Sequence, residues 1–218
     1  MGTNLSKTIL TGKIIMKKPL AILFTVLMGV AFSVMGQTDI SFQNELQRSI
    51  DRGIESLKKS QDPKGFWTNA DHPAVTALVL VAYHGNPKKT KETPEWVEKG
   101  HSFILKHVQP NGSIYVPDKG LANYNTALCM MAMLASKEAK YNPAIIKARK
   151  YLVGQQWDLG VKGETDHPLD GGVGYGNRYP HGDLNNTLIA LEAIYYSRHL
   201  VKDSPDAKND LNWKAAIS

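Results

Sequence analysis

One spacing recurs along this chain and restricts its fold more than any other feature. Arg52-Gly53, two residues, Ser56-Leu57, three residues, Gln61 is matched by Lys147-Ala148, two residues, Tyr151-Leu152, three residues, Gln156. Between them, Lys99-Gly100, two residues, Phe103-Ile104 leads to Gln109, one position late. Gly65 follows Arg52 by 13 residues, and Gly112 follows Lys99 by 13. The starts lie 47 and 48 residues apart, and a fourth start, Lys214-Ala215, stands just before Ser218. A fixed period of this size marks stacked supersecondary units, each too small to bury its own apolar face.

The units alternate in character. Before each glutamine runs an amphipathic helix, with Leu46, Ile50, Ile54 and Leu57, then Trp96, Phe103 and Ile104, then Ile145, Ala148, Tyr151 and Leu152 on one stripe. After each comes a segment apolar nearly all round: Ala74–Ala82, Ala127–Ala135 and Leu188–Tyr196. A helix without a polar face needs cover on every side, so amphipathic outer helices should wrap an inner layer. No run of alternating residues argues for a sheet. The expectation is an all-α fold of about three helical hairpins, in an open solenoid or closed into a toroid.

The full pattern is Lys/Arg-Gly/Ala, two residues, aromatic-Leu, three residues, Gln, three residues, Gly, one residue, Trp. It resembles the QW repeat of squalene–hopene and oxidosqualene cyclases, and residues 52–67 depart from it only at Ser56. The resemblance covers about residues 45–218 and implies the α/α toroid of the terpenoid cyclase and prenyltransferase-like superfamily, here an incomplete one. It implies that the repeats brace the scaffold and perform no chemistry. From the residues alone, Gln61 is expected to satisfy carbonyls at the end of its own helix, while Gly65 permits a sharp reversal.

The resemblance also points to candidate sites. In such cyclases an Asp-x-Asp-Asp-Thr-Ala motif opens an inner helix, and its middle Asp protonates the polyene. Asp183-Leu184-Asn185-Asn186-Thr187 stands at the matching place, with amides where the later acids belong. An amide has no usable acidic proton, so the acid function is degenerate here. Echoes occur at Asn123-Tyr124-Asn125-Thr126 and at Asp71-His72-Pro73. Asp183 is therefore the candidate acid, with Asn185, Asn186, Asn123, Asn125, Asp71 and His72 as candidate substrate-binding residues. Asp or Asn ahead of a helix is equally what an N-cap requires.

A second candidate lies in the extended third connection, where the start-to-start distance is 67. Asp166-His167-Pro168-Leu169-Asp170 precedes a glycine-rich run, then Tyr175, Tyr179, His181 and Asp183. Asp170 and His181 could join Asp183 as acid–base groups, with Tyr175 and Tyr179 as binding residues. Their spacing fits no metal motif, and neither a metal nor a cofactor is expected. Cys129, among methionines in an apolar helix, reads as a small core residue rather than a zinc ligand. Neither a diphosphate-binding acidic motif nor a thioester motif is present.

Residues 1–36 have the features of a leader. Lys17-Lys18 precedes the apolar run Leu20–Phe32 and the small residues near Gly36-Gln37, the order of a cleaved secretory signal. The run is short for a membrane span of about 20 residues. Met16, directly before the lysines, is the expected start of translation. A secreted or periplasmic product is expected, with one repeat domain over 37–218 carrying 22 basic and 20 acidic residues. That balance asks for no nucleic acid.

The resulting expectation is a secreted, non-catalytic or cryptic binding scaffold with an apolar inner cavity for an isoprenoid or other apolar small molecule. Alternatives are an isoprenoid-processing enzyme and a polysaccharide-active toroid enzyme. A fourth hairpin only begun suggests a longer array, with Val79, Met131 and Leu191 on open inner faces and self-association through them.

Overall fold

The structure, a computed structural model, describes residues 40–176 and 179–217, with the backbone alone for 179–181. The leader over residues 1–36 and its cleavage point lie outside the described residues. The chain divides into two units, Met1–Asp51 and Arg52–Ser218. In the first, residues 40–51 are helical. All that follows concerns the second.

Its helices are α1 (52–59), α2 (Pro73–His84), α3 (Glu95–Leu105), α4 (Ala122–Ser136), α5 (Asn142–Val153), α6 (Leu184–Tyr196) and the short α7 (Trp213–Ile217). The fold is all-α, as the periodicity predicts. Each inner segment begins earlier than its apolar run. Pro73 fits the first turn of α2, where its missing N–H has no helical partner to lose. Asp183 caps α6.

One small sheet was not anticipated. β1 (Gly174–Gly176) pairs antiparallel with β2 (Tyr179–Gly182), Gly174 opposite Gly182. Strands of three and four residues that include Gly174, Gly176 and Gly182 are too short to show a period-two pattern.

The inner helices form a row with α4 in the middle, packed against α2 and α6, while α3 covers α2 and α5 lies chiefly against α4, with a smaller contact on α6. Apolar periodicity produces this order. α3 buries Val97, His101, Phe103 and Ile104 on one stripe, whereas ten of the fifteen residues of α4 are buried. Met130, Met133, Ile145, Leu152 and Ile194 are at the centre of the core. Cover on every side holds for α4 but not for α6, whose Leu184 is 87% exposed and whose Leu188 is 54% exposed. Only α4 flanks α6 within the row. Val79, expected on an open face, is buried, while Met131 and Leu191 are half-buried. No helix among the described residues is long and apolar enough to cross a membrane.

The joints between outer and inner helices differ from expectation in a specific way. Gln61 Nε2 donates to Gly65 O (3.1 Å) and to Trp96 O (2.8 Å), not to its own helix end. Gln156 Nε2 likewise donates to Gly171 O and Asn212 O, each at 3.2 Å, and its Oε1 accepts from Asn212 N–H. Gln109, one position late in sequence, stays local, on His107 O and Tyr115 O. Beside them the glycines touch the next outer helix. A Cβ on Gly65 would stand 2.5 Å from Lys99 O, and one on Gly112 2.3 Å from Lys147 O. In the third joint Gly171 takes that place against Ala215.

A buried histidine pair ties α2 to α3. His84 Nε2 and His101 Nε2 are 2.9 Å apart, and the His101 ring stacks on Tyr141 at 4.7 Å. Burial, then Lys89, lowers the pKa of His84 from about 6.5 to about 4; burial, then the His84 neighbour, lowers that of His101 to about 3. Glu138 opposes the lowering at both rings and Glu98 at His84, without reversing it, and Lys140 adds to the lowering at His101. The unfolded chain thus takes up protons before the folded one, so stability falls as pH drops below about 6.5 and continues to fall toward 4. At pH 5.5 the loss should be about 2–3 kcal/mol relative to neutral pH. Urea unfolding at pH 7.5 and 5.5 measures it, and His101→Phe should flatten the dependence. Equal stability at both pH values would contradict the buried neutral pair.

Candidate functional site

The N-terminus of α6 and the loop before it enclose a cavity of about 600 Å³, lined by residues 165–172, Gly182–Leu184, Thr187 and Ala215–Ala216. Asp170 and Asp183, separated by 13 residues in sequence, share its wall, together with Asp166 and His167. This is the one grouping of predicted catalytic residues that the described structure brings together. The side chains of Tyr179 and His181 lie outside the described residues.

Asp183 is held by local geometry. Its backbone is extended, at φ −143°, and its Oδ1 accepts from Asn186 N–H (2.8 Å) and Asn186 Nδ2 (2.9 Å). Thr187 closes the turn, its N–H and Oγ1 both donating to Asp183 O. This is an N-cap, which satisfies donors that the helix itself leaves unpaired. Asn186 is buried in making it, with its Oδ1 left without a hydrogen-bond partner, while Asn185 is exposed.

Asp170 is fastened more tightly. Oδ1 accepts from Leu159 N–H at 2.7 Å, and Oδ2 accepts from His167 N–H at 2.8 Å and Asp166 N–H at 3.1 Å. The Leu159 N–H, followed by those of His167 and Asp166, holds this carboxyl below the usual carboxylate range. A carboxylate so held has no proton to donate near neutral pH, which argues against the general-acid role expected for it. His167 Nδ1 accepts from Leu169 N–H, and Asp166 Oδ2 accepts from Val161 N–H at 3.0 Å. The loop's polar side chains organise its own backbone. Among the described residues, no three His, Cys, Asp or Glu are grouped to hold a metal ion.

The remaining candidates are spread over the starts of α2 and α4. Asn125 Oδ1 accepts from Ala74 N–H (3.0 Å), joining the two inner helices at their first turns. Asn123 donates from Nδ2 to Gly174 O (2.9 Å) and accepts from Tyr151 OH (2.8 Å), so one amide joins α4, α5 and β1. Burial pushes the Tyr151 phenol up to about 12, which keeps it protonated as that donor. Asp71 pairs with Lys119 at 2.8 Å on the surface, and His72 precedes α2 with a buried Nδ1 lacking a partner. The Tyr175 ring lies 6.0 Å from that of Tyr124. Cys129 is fully buried, and burial raises its thiol pKa, as suits a core residue.

One structural element escaped sequence reasoning. Thr76, Thr126 and Thr187 each accept a backbone N–H, from Trp67 (3.4 Å), Ile114 (2.8 Å) and Val173 (2.9 Å) respectively. The donors share a signal that the sequence does carry, since each stands two residues after Gly65, Gly112 or Gly171. Thr126 and Thr187, which stand in the echoes of the acid motif, bind the joint to the inner helix, and Thr76 does the same. Compared with known proteins, the chain matches no family model, no curated protein and no solved structure.

Proposed function

We propose that this chain is an exported, non-catalytic binding scaffold on the α/α-toroid plan of the cyclase and prenyltransferase-like proteins that its sequence resembles. In this reading α1 with α2, α3 with α4 and α5 with α6 are successive outer–inner repeat units of an incomplete toroid, and α3 and α5 lie chiefly against the inner helix of the unit before. The apolar inner row is the surface that takes an isoprenoid or similar molecule. One observation carries the proposal: the polar groups expected to do chemistry are bonded to backbone. Asp183 caps α6, Asp170 gathers three N–H groups, Asn125 holds Ala74 and Asn123 holds Gly174. An acid that initiates cyclisation needs a proton to give and room for an alkene beside it, and Asp183 is instead a cap.

Incubation with squalene and oxidosqualene, followed by mass spectrometry, should give no cyclised product. Farnesol should raise the melting temperature by binding the folded state alone. Asp183→Ala should lower stability by about 1 kcal/mol, as loss of an N-cap does. A cyclic product that disappears in Asp183→Asn would overturn the non-catalytic reading. An unmoved melting temperature up to the solubility limit of farnesol would overturn the binding one.

A further inference from the structure

A second cavity, of about 590 Å³, opens at the opposite ends of α4 and α6 from Asp183. Its size lies within the range of about 300–1,000 Å³ typical of small-molecule sites. Met133 and Ile145, both nearly inaccessible, contribute to its lining, along with Met131, Leu134 and Leu200. The lining is thus mainly apolar, with polar groups that include Lys137, Glu138 and His199.

These polar groups are not equivalent. Glu138 is already satisfied, by Lys140 at 2.7 Å and by Thr93 Oγ1 at 3.0 Å. The His199 ring is tied to Tyr196 O through Nδ1 at 2.9 Å. Lys137 has no side-chain ion pair or hydrogen bond among the described residues. It is also the C-cap of α4, held at φ 60° and ψ 18° in the left-handed region. Glycine or asparagine normally fills such a position, because a side chain there is sterically unfavourable. An unpaired cation therefore stands at a backbone position unsuited to it, at the edge of an apolar cavity. Non-glycine residues held in this region tend to occur at ligand clamps.

We infer that this cavity binds a small amphipathic carboxylate, its apolar body against Met131, Leu134 and Ile145 and its carboxylate on the Lys137 ammonium. Charge complementarity selects the anion, since Glu138 is already engaged by Lys140 and Thr93 whereas the Lys137 ammonium engages no carboxylate. The inference rests on this cavity and stands apart from the toroid reading. The rival role for Lys137 is simply to complement the α4 dipole, which a cation at a helix C-terminus does without any ligand.

Lys137→Gly separates the two. It removes the ammonium while supplying the residue that the backbone prefers, so the variant should melt no lower than the parent. Calorimetric titration of the full chain with decanoate, below its micelle concentration, should show saturable one-to-one binding. Lys137→Gly should weaken that binding by about tenfold, as loss of a charge-assisted hydrogen bond does, and Lys137→Arg should largely retain it. Decyltrimethylammonium, with the same tail and the opposite charge, should bind at least tenfold more weakly than decanoate, by about the same argument. Decanoate affinity unchanged in Lys137→Gly, or equal affinity for the two amphiphiles, would overturn the assignment. A farnesol response that persists in Lys137→Gly would leave the scaffold reading standing whichever way the decanoate result falls.

Discussion

Trp67→Ala should lower the unfolding free energy by about 3–5 kcal/mol, the range for truncating a buried aromatic. Trp67 is 3% exposed, and its ring meets Trp96 edge-on at 6.0 Å. Its indole N–H donates to Leu57 O at 2.7 Å, so the side chain closes the end of α1 while filling the space beneath α3. The truncation opens a void and removes the indole donor from Leu57 O, which keeps its bonds from Ser60 N–H and Oγ, so the void is the larger loss. Trp67→Phe isolates the smaller loss and should cost about 1 kcal/mol from the lost hydrogen bond, plus a smaller void. Urea unfolding curves measure both. A loss below about 1 kcal/mol for the alanine variant would place Trp67 among ordinary surface residues.

Gly112→Ala should be comparably damaging, at about 3 kcal/mol or more, because two independent penalties meet at one atom. The residue lies at φ +91°, where an L side chain is strained, and its new Cβ would stand 2.3 Å from Lys147 O. That oxygen is backbone of α5 and cannot swing aside as a side-chain tip would. Gly53 is the internal control. It occupies the Gly/Ala place of the same motif, in helix and with nothing within 4 Å of its missing Cβ. Gly53→Ala should stabilise by about 0.5–1 kcal/mol, the usual difference between the two residues in a helix. Two glycine substitutions at different places of the repeat motif would then have opposite signs. Matching signs in the same denaturant series would refute the close approach at Gly112.

What was legible in the sequence follows the range of the interactions. Helix identity depends on residues three and four apart, so the inner segments of α2, α4 and α6 were readable, with only their first turns missed. The need for glycine at 65 and 112 was readable from spacing, although not that the obstacle would be the carbonyl of the following outer helix. The glutamines were misread because their partners, Trp96 for Gln61 and Asn212 for Gln156, are 35 and 56 residues away. Nothing local distinguishes a glutamine that caps its own helix from one that reaches the next. The same limit applies to Asp170. Its residue type suggested chemistry, while the three N–H groups that occupy it come from a loop conformation that no periodicity encodes. Asp183 was ambiguous for a different reason, since an acid ahead of an inner helix is required equally by capping and by catalysis.

The long third connection is closed at its base. Gln156 holds Gly171 O, Trp157 N–H donates to Gly172 O at 2.8 Å, and Gly171 N–H donates to Trp157 O at 2.9 Å. The chain therefore leaves and re-enters the joint at nearly the same point, and residues 158–170 form a pendant closed at its neck. Helix register is fixed at that neck and takes no account of how much chain hangs beyond it. Lengthening such a pendant twofold adds only about 0.6 kcal/mol of closure entropy. By the same geometry this connection can be rewritten, extended or exchanged for a foreign segment while the helices on either side continue to meet as before.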